Sequence, residues 1–201
     1  MPVIESTLTI LILWAVIGYI LGSIPFGMVL SKLMNLGNLR EIGSGNIGAT
    51  NVLRTGNKLA ALGTLVLDGG KGAVAVLIAR ALAGEDTAQL AGLMAFLGHC
   101  YPVWLGFKGG KGVATFLGLM LALAFPVGVL CCLAWLVTAG ILRISSLSAI
   151  VAAASSTFWV AFFGPGAIIL LSAVLTLLVF WRHRENIARL RAGTEPKIGQ
   201  K

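Results

Sequence analysis

The sequence predicts an all-α integral membrane protein, a single domain over residues 1–201 with seven transmembrane helices, the N-terminus outside and the C-terminus cytoplasmic. Three observations predict it. Of the 201 residues, 58% are hydrophobic and only 11% are charged, whereas a soluble domain carries about 25% charged residues. The apolar runs are continuous rather than alternating, so they read as helices that satisfy their own backbone in lipid. Finally, Lys and Arg are gathered in alternate connections.

The apolar segments fall at about 7–33, 59–82, 88–106, 112–124, 126–142, 147–163 and 165–181. The first starts beside Glu5 with no basic region ahead of it, so Leu8–Leu30 reads as a retained helix and not a cleaved signal. The second carries Asp68 and Lys71, three residues apart; ionised groups at that depth must face inward and pair, as structural support or as part of a site. The fourth is short, and Pro126 marks the turn after it. Gly164-Pro165-Gly166 turns the chain between the last two. Cys100, Cys131 and Cys132 lie in apolar segments without metal-ligand spacing and read as packing residues.

An odd number of spans puts the termini on opposite sides. With the N-terminus outside, the connections at 34–58, 107–111 and 143–146 and the tail 182–201 are cytoplasmic. They hold Arg40, Arg54, Lys58, Lys108, Lys111, Arg143, Arg182, Arg184, Arg189, Arg191, Lys197 and Lys201, and Lys32 joins them at the end of the first span. Only Lys71 and Arg80 lie elsewhere, Arg80 near the other face with Glu85 and Asp86. The formal net charge of +8 therefore reports topology and not a nucleic-acid partner.

Three polar cassettes fall on that inner side. The first runs Gly43-Ser44-Gly45-Asn46-Ile47-Gly48-Ala49-Thr50-Asn51, with Arg54 after it. Its glycines can turn successive N–H groups toward one point, Ser44, Asn46, Thr50 and Asn51 add donors, and Arg54 can grip phosphate with two nitrogens. The second is Gly98-His99-Cys100-Tyr101-Pro102 followed by Phe107-Lys108-Gly109-Gly110-Lys111-Gly112-Val113-Ala114-Thr115. A span begins directly after these glycines, so helix-start N–H groups point back at the loop. Gly112 follows Lys111 where a nucleotide-binding loop needs Ser or Thr for magnesium, which excludes nucleotide hydrolysis. Lys108 alone is explained by topology. The third cassette is His183-Arg184-Glu185-Asn186-Ile187-Ala188-Arg189-Leu190, where His183 and Asn186 share a helix face and Arg182, Arg184 and Arg191 reach toward head groups or water. Ser145, Ser146 and Ser148 after Arg143 supply hydroxyls on the same side, or simply start a helix with a serine cap.

Taken together, the cassettes resemble the bacterial acyl-phosphate:glycerol-3-phosphate acyltransferase family, the PlsY type. Ser44 to Arg54 matches Ser-Gly-Asn-x-Gly-Ala-Thr-Asn-x-x-Arg, Gly98–Pro102 and Phe107–Thr115 match Gly-His-x-x-Pro and Phe-Lys-Gly-Gly-Lys-Gly-Val-Ala-Thr, and His183–Leu190 matches His-x-x-Asn-Ile-x-Arg-Leu. The resemblance implies acyl transfer from acyl-phosphate to the 1-hydroxyl of sn-glycerol 3-phosphate. The products are lysophosphatidic acid and phosphate, the first committed step of phospholipid synthesis in the bacterial inner membrane. It implies no metal and no cofactor; membrane lipids and a soluble acyl-phosphate synthase are the candidate partners.

With that implication, Ser44, Arg54, Lys111, His183 and Asn186 are the candidate catalytic residues. Acyl-phosphate is assigned to Gly43, Ser44, Gly45, Asn46, Gly48, Thr50, Asn51, Arg54, Gly109 and Gly110. Glycerol 3-phosphate is assigned to Lys111, Ser146, Ser148, His183 and Asn186, and the residues alone leave the reverse assignment open. Asp68, Lys71, His99 and Lys108 are candidate supports. The hydroxyl proton can go to His183 or to a substrate phosphate oxygen. The alternative function is a membrane transporter of a phosphate-bearing anion. It wants a polar path across the bilayer, yet the outer side offers only Arg80, Glu85 and Asp86. A lipid-binding scaffold would leave the first two cassettes unexplained.

Overall fold

The computed structural model describes residues 2–199, so Lys201 lies outside the described residues. Within them, the chain is built of helices. The first apolar segment forms α1 (Leu8–Ser23) and α2 (Phe26–Leu33), broken at Pro25, which has no N–H to continue the ladder. A long connection holds the short α3 (Ala49–Leu53). Then come α4 (Lys58–Ala83), α5 (Glu85–Cys100), α6 (Val113–Leu123), α7 (Phe125–Leu142), α8 (Ser145–Phe163), α9 (Ile169–Arg182) and α10 (Arg184–Arg191).

Small residues let the central helices touch backbone to backbone. A Cβ on Gly18 or Gly22 of α1 would sit 2.3 or 2.0 Å from the carbonyl oxygen of Ala91 or Ala95 on α5. A Cβ on Gly118 of α6 would sit 2.1 Å from the Gly69 carbonyl of α4. Such contact is how helices associate where lipid is as apolar as leucine. Phe96, Phe116, Leu119 and Met120 fill the centre, and the outward leucines, valines and phenylalanines of α1, α4, α7 and α8 are exposed, as a lipid-facing surface requires.

The α1–α2 run, α4, α7 and α8 are each long and apolar enough to cross a membrane; α9 and α10, bent by 62°, make a fifth if counted as one. The 11 residues of α6 rise only about 16 Å, roughly half of a bilayer core. Length and composition therefore support four to five spans among the described residues.

At one end of the bundle, Asp86 accepts hydrogen bonds from the N–H groups of Glu5 and Ser6 at 3.0 and 2.9 Å, tying down the start of the chain. Arg80 pairs with Glu85 at 2.7 Å and donates to the Ala122 carbonyl at the end of α6. At the other end, Leu39, Val52, Ala60 and Ala61 form a small second core that anchors the 34–58 connection.

Candidate active site

The first cassette is organised by Asn51. Its buried amide donates to the Leu39 and Asn46 carbonyls at 3.0 and 2.7 Å and accepts from the Ser44 N–H at 3.1 Å and from Arg54 Nη1 at 3.3 Å. With both amide hydrogens engaged, Asn51 shapes the loop and has no donor left for a phosphate, a correction to its assignment as a phosphate donor. Gly43 has φ +52, and a Cβ there would meet Arg54 Cδ at 2.5 Å, so this glycine lets the guanidinium lie across the loop. Ser44 is exposed, with its hydroxyl 3.4 Å from Asn51 Oδ1, and Asn46 accepts the Ile47 N–H. Gly45 and Gly48 complete the turns, Gly45 at φ +66.

The second cassette differs from the anticipated nest of N–H groups. Gly109 N–H donates to the Cys100 carbonyl at 3.1 Å and Gly110 N–H to the His99 carbonyl at 3.0 Å. Both donors are engaged, so these two glycines contribute by fit. A Cβ on Gly109 would meet the His99 carbonyl at 2.2 Å, and one on Gly110 would meet His99 Nε2 at 2.1 Å. What the loop presents is Lys111, whose Nζ donates to Asn186 Oδ1 at 2.5 Å. Burial, then the nearby Arg189, pushes the Lys111 ammonium down to about 8, with Glu195 and Glu185 opposing. Lys108 is exposed, and its carbonyl accepts a very short hydrogen bond from Arg40.

In the third cassette α9 stops at Arg182 and the chain turns through His183 into α10. His183 Nδ1 lies 2.8 Å from the Val179 carbonyl. A carbonyl only accepts, so Nδ1 carries the hydrogen and Nε2 keeps its lone pair. Burial pushes His183 down to about 4, against the Val179 hydrogen bond, so the ring is neutral at pH 7. Arg182 does not reach head groups as anticipated. It folds inward, stacks over Tyr101 at 4.9 Å and donates to the Gly109 and Gly110 carbonyls at 3.3 and 2.9 Å. Arg184 stays exposed against Trp181.

Sequence reasoning missed Glu195. The tail returns to the bundle and its carboxylate accepts from Ser146 Oγ at 2.6 Å, Asn186 Nδ2 at 2.5 Å and Arg189 Nε at 2.7 Å. Burial works against its charge, but the hydrogen bonds from Ser146, Asn186 and Arg189 outweigh it and hold the carboxyl below its usual range. Farther along, Ile198 N–H donates to the Arg143 carbonyl at 2.6 Å. The available signal was a second acid, after Glu185, in a basic tail. Arg40, read only as a topology charge, was missed too: it donates to the Gly45 carbonyl at 3.2 Å as well as to Lys108 and so ties the first cassette to the second.

The serines separate. Ser145 Oγ lies 3.0 Å from Thr50 Oγ1, joining the first cassette to α8, and Ser146 meets Glu195. Neither caps the helix, which starts from Ile144 without a side-chain cap. Ser148 is not brought to the cluster, because its buried hydroxyl is bonded to the Ile144 carbonyl one turn back, a correction to its assignment with glycerol 3-phosphate. Asp68 and Lys71 do pair, at 2.7 Å, with His99 Nδ1 3.7 Å from the same carboxylate oxygen. All three cassettes are thus linked: the first to α8 through Thr50 and Ser145 and to the second through Arg40, and the second to the third through Lys111 and Asn186.

Comparison with known proteins supplies the family. The family model described as "Glycerol-3-phosphate acyltransferase" matches residues 12–193. The chain belongs to the glycerol-3-phosphate acyltransferase family. Proteins of that name from Ruegeria pomeroyi and Roseobacter denitrificans are 71% and 72% identical, over 100% and 98% of this chain and 99% of each relative. A crystal structure of PlsY, an integral membrane glycerol 3-phosphate acyltransferase in its glycerol 3-phosphate form, superposes with a TM-score of 0.87 at 40% identity, covering 94% of this chain and 96% of that one. The lysophosphatidic acid form gives 0.86 at 40% identity, covering 94% of this chain and 95% of that one. Family membership establishes an acyltransferase of phospholipid synthesis built on an apolar, membrane-embedded helical body.

Proposed function

We propose that the chain transfers a fatty acyl group from acyl-phosphate to the 1-hydroxyl of sn-glycerol 3-phosphate, releasing lysophosphatidic acid and phosphate. The reaction is placed at the cytoplasmic face of the bacterial inner membrane, with seven spans and the N-terminus outside. The observation that carries this reading is the meeting of Lys111, Asn186, Ser146 and Arg189 beside neutral His183, tied through Thr50 and Ser145 to the Arg54 loop. Two phosphorylated substrates repel each other, and a site that joins them needs separate cations for each.

Arg54 with Ser44, Asn46 and Thr50 suits the acyl-phosphate. Lys111, Arg189 and the second amide hydrogen of Asn186 suit glycerol 3-phosphate, while Glu195 orients the donors around it. The substrate hydroxyl oxygen attacks the carbonyl carbon, and the bond from that carbon to the phosphate oxygen breaks. Phosphate leaves with the bonding electrons, and cations already in place stabilise the charge. No protein nucleophile is required because phosphate is a good leaving group.

The proton goes to a substrate phosphate oxygen. A neutral His183 with its ammonium-like form confined below about 4 is a weak base at pH 7, while a phosphate monoester with a second pKa of about 6 is better matched. His183 Nε2 then accepts a hydrogen bond from the neighbouring 2-hydroxyl of glycerol 3-phosphate and so orients the 1-hydroxyl, whose own proton stays free for the phosphate oxygen.

The deciding assay is release of phosphate by purified protein supplied with acyl-phosphate and glycerol 3-phosphate, with acyl-CoA as the second donor. Release from acyl-phosphate alone fits the proposal. Absence of release with both donors would sink it, and activity with acyl-CoA only would overturn the donor.

A further inference from the structure

Asp68, Lys71 and His99 sit almost fully buried, at 2%, 6% and 4% exposure, inside a helical bundle where apolar packing would be simpler. Charges at membrane depth are costly to insert, so their presence calls for a use. Their contacts reach three other helices or helix ends: the break after α1, the first turn of α6 and the last turn of α5. Lys71 Nζ donates to the Ile24 carbonyl at 2.7 Å, at the Pro25 break between α1 and α2. It also pairs with Asp68 Oδ1 at 2.7 Å and lies 5.7 Å from the Phe26 ring centre. The Asp68 carbonyl accepts from Thr115 Oγ1 at 2.8 Å, in the first turn of α6 just beyond Lys111. Asp68 Oδ1 faces His99 Nδ1 at 3.7 Å, and that ring nitrogen has no hydrogen-bond partner among the described residues.

His99 is the link to the glycine loop. Its carbonyl receives the Gly110 N–H, the next carbonyl receives the Gly109 N–H, and its ring lies flush under Gly110, where any Cβ would collide with Nε2. From the opposite side, Arg182 holds the carbonyls of the same two glycines. The two peptides are gripped on both edges, and Lys111 follows them directly.

We infer that Asp68, Lys71 and His99 form a buried brace that positions the Gly109–Gly110 peptides and, through them, the Lys111 ammonium. They are positioning residues for the acyl transfer proposed above, on which the kinetic half of this inference rests. The ion pair ties α4 to the break between α1 and α2, the Asp68 main-chain carbonyl holds α6, and the Asp68 carboxylate faces the imidazole that underlies the loop. A neutral apolar filling would pack the helices and leave the imidazole free to turn.

The test uses full-length protein in lipid nanodiscs. Removing one charge alone leaves the other buried and unpaired, which destabilises strongly. The Asp68→Asn/Lys71→Met double variant removes both and keeps the volume, and His99→Gln tests the ring separately. Two readouts are taken. Hydrogen exchange at the Gly109 and Gly110 amides should speed up at least tenfold in both variants. KM for glycerol 3-phosphate should rise tenfold to a hundredfold, as small misplacements in an active site do, while the helical content stays that of wild type. Combining all three substitutions should add little to either effect, because both act through one loop. Unchanged glycine exchange, or a fall in kcat alone, would overturn the brace. If wild-type protein proves inactive in acyl transfer, the proposed function fails, and the exchange arm still decides the brace.

Discussion

Gly-Gly-Lys-Gly occurs at 69–72, in the middle of α4, and again at 109–112, in the loop that leads into α6. In the helical copy the glycines are flat contact surface: Gly69 receives Gly118 of α6, and Gly72 lies against Thr115 and Leu119. Lys71 there has its charge cancelled by Asp68. In the loop copy Gly109 and Gly110 lie against the end of α5, and the Lys111 ammonium donates to the neutral amide oxygen of Asn186. One lysine is consumed by the fold, and the other is held out by it. Identical residues yield a structural cation where a carboxylate sits three residues away and, in the function proposed above, a substrate-facing cation where none does.

The strongest way to break this contrast is to truncate each lysine. Lys111→Ala should lower kcat/KM for glycerol 3-phosphate at least about a thousandfold with little loss of folded protein, as removal of a charged transition-state contact does. Lys71→Ala should act mainly on stability, by about 3–5 kcal/mol, since it leaves Asp68 buried and alone. Thermal unfolding and kinetics measured on the same preparations separate the two. If Lys71→Ala proves inactive but fully stable, the division of labour is wrong.

Glu195 sharpens the comparison from the other side, because it supplies to the loop site the carboxylate that Asp68 supplies to α4, but at a remove. It binds Ser146, Asn186 and Arg189 and leaves Lys111 Nζ to Asn186. Glu195→Ala strands three donors, and the tail loses its strongest hold. Activity should fall about a hundredfold, with a loss of about 2–4 kcal/mol in stability. Glu195→Gln, which can still accept from Ser146 and Asn186, should recover most of the stability. A fully active, stable Glu195→Ala protein would remove the tail from the site.

The pH dependence reads the charge of Lys111 directly. Its folded value is lowered to about 8, so the cation is present below that and is lost as pH rises through it. kcat/KM should therefore fall on the alkaline side near pH 8, and Lys111→Arg should push that limb upward beyond pH 9, because guanidinium stays charged. On the acid side, a limb near pH 6 belongs to the substrate phosphate and one near 4 to His183. His183→Gln should slow turnover about tenfold to a hundredfold and leave the limb near 6 in place. Loss of that limb in the variant would make His183 the base.

Much of the helical layout is readable in the sequence because its signals are local. Continuous apolar runs, Pro126 and Gly164-Pro165-Gly166 fix where most helices start and stop within a few residues, whereas the break at Pro25 inside the first segment went unread. The pairing of Asp68 with Lys71 follows from spacing of three, whereas His183, expected on one helix face with Asn186, stands at the bend between α9 and α10. What stayed hidden depends on contacts far apart in the chain. Glu195 meets Ser146 across 49 positions, and Arg182 reaches Gly110 across 72. Asn51 looks like one more polar loop residue until its amide is seen filled by Leu39 and Asn46. The glycines of the second cassette mislead for a related reason: a glycine that frees its N–H for a ligand and one that lets backbone approach a neighbour are the same letter.

Lys108 gives the smallest effect and the finest comparison, because it shares a loop with Lys111. Its side chain is exposed, whereas its carbonyl accepts the hydrogen bond from Arg40 that ties the two cassettes. Any residue keeps that carbonyl. Lys108→Ala should change kcat/KM by less than about threefold, within the range of exposed charge substitutions, while Arg40→Ala should weaken activity more, since Arg40 also donates to Gly45. Salt separates the two causes further: a residual Lys108 effect should vanish as ionic strength rises, because exposed charges are screened, and the Arg40 effect, which rests on two directed hydrogen bonds, should persist. Equal and salt-independent losses at both positions would mean that the Lys108 ammonium, and not its peptide, belongs to the site.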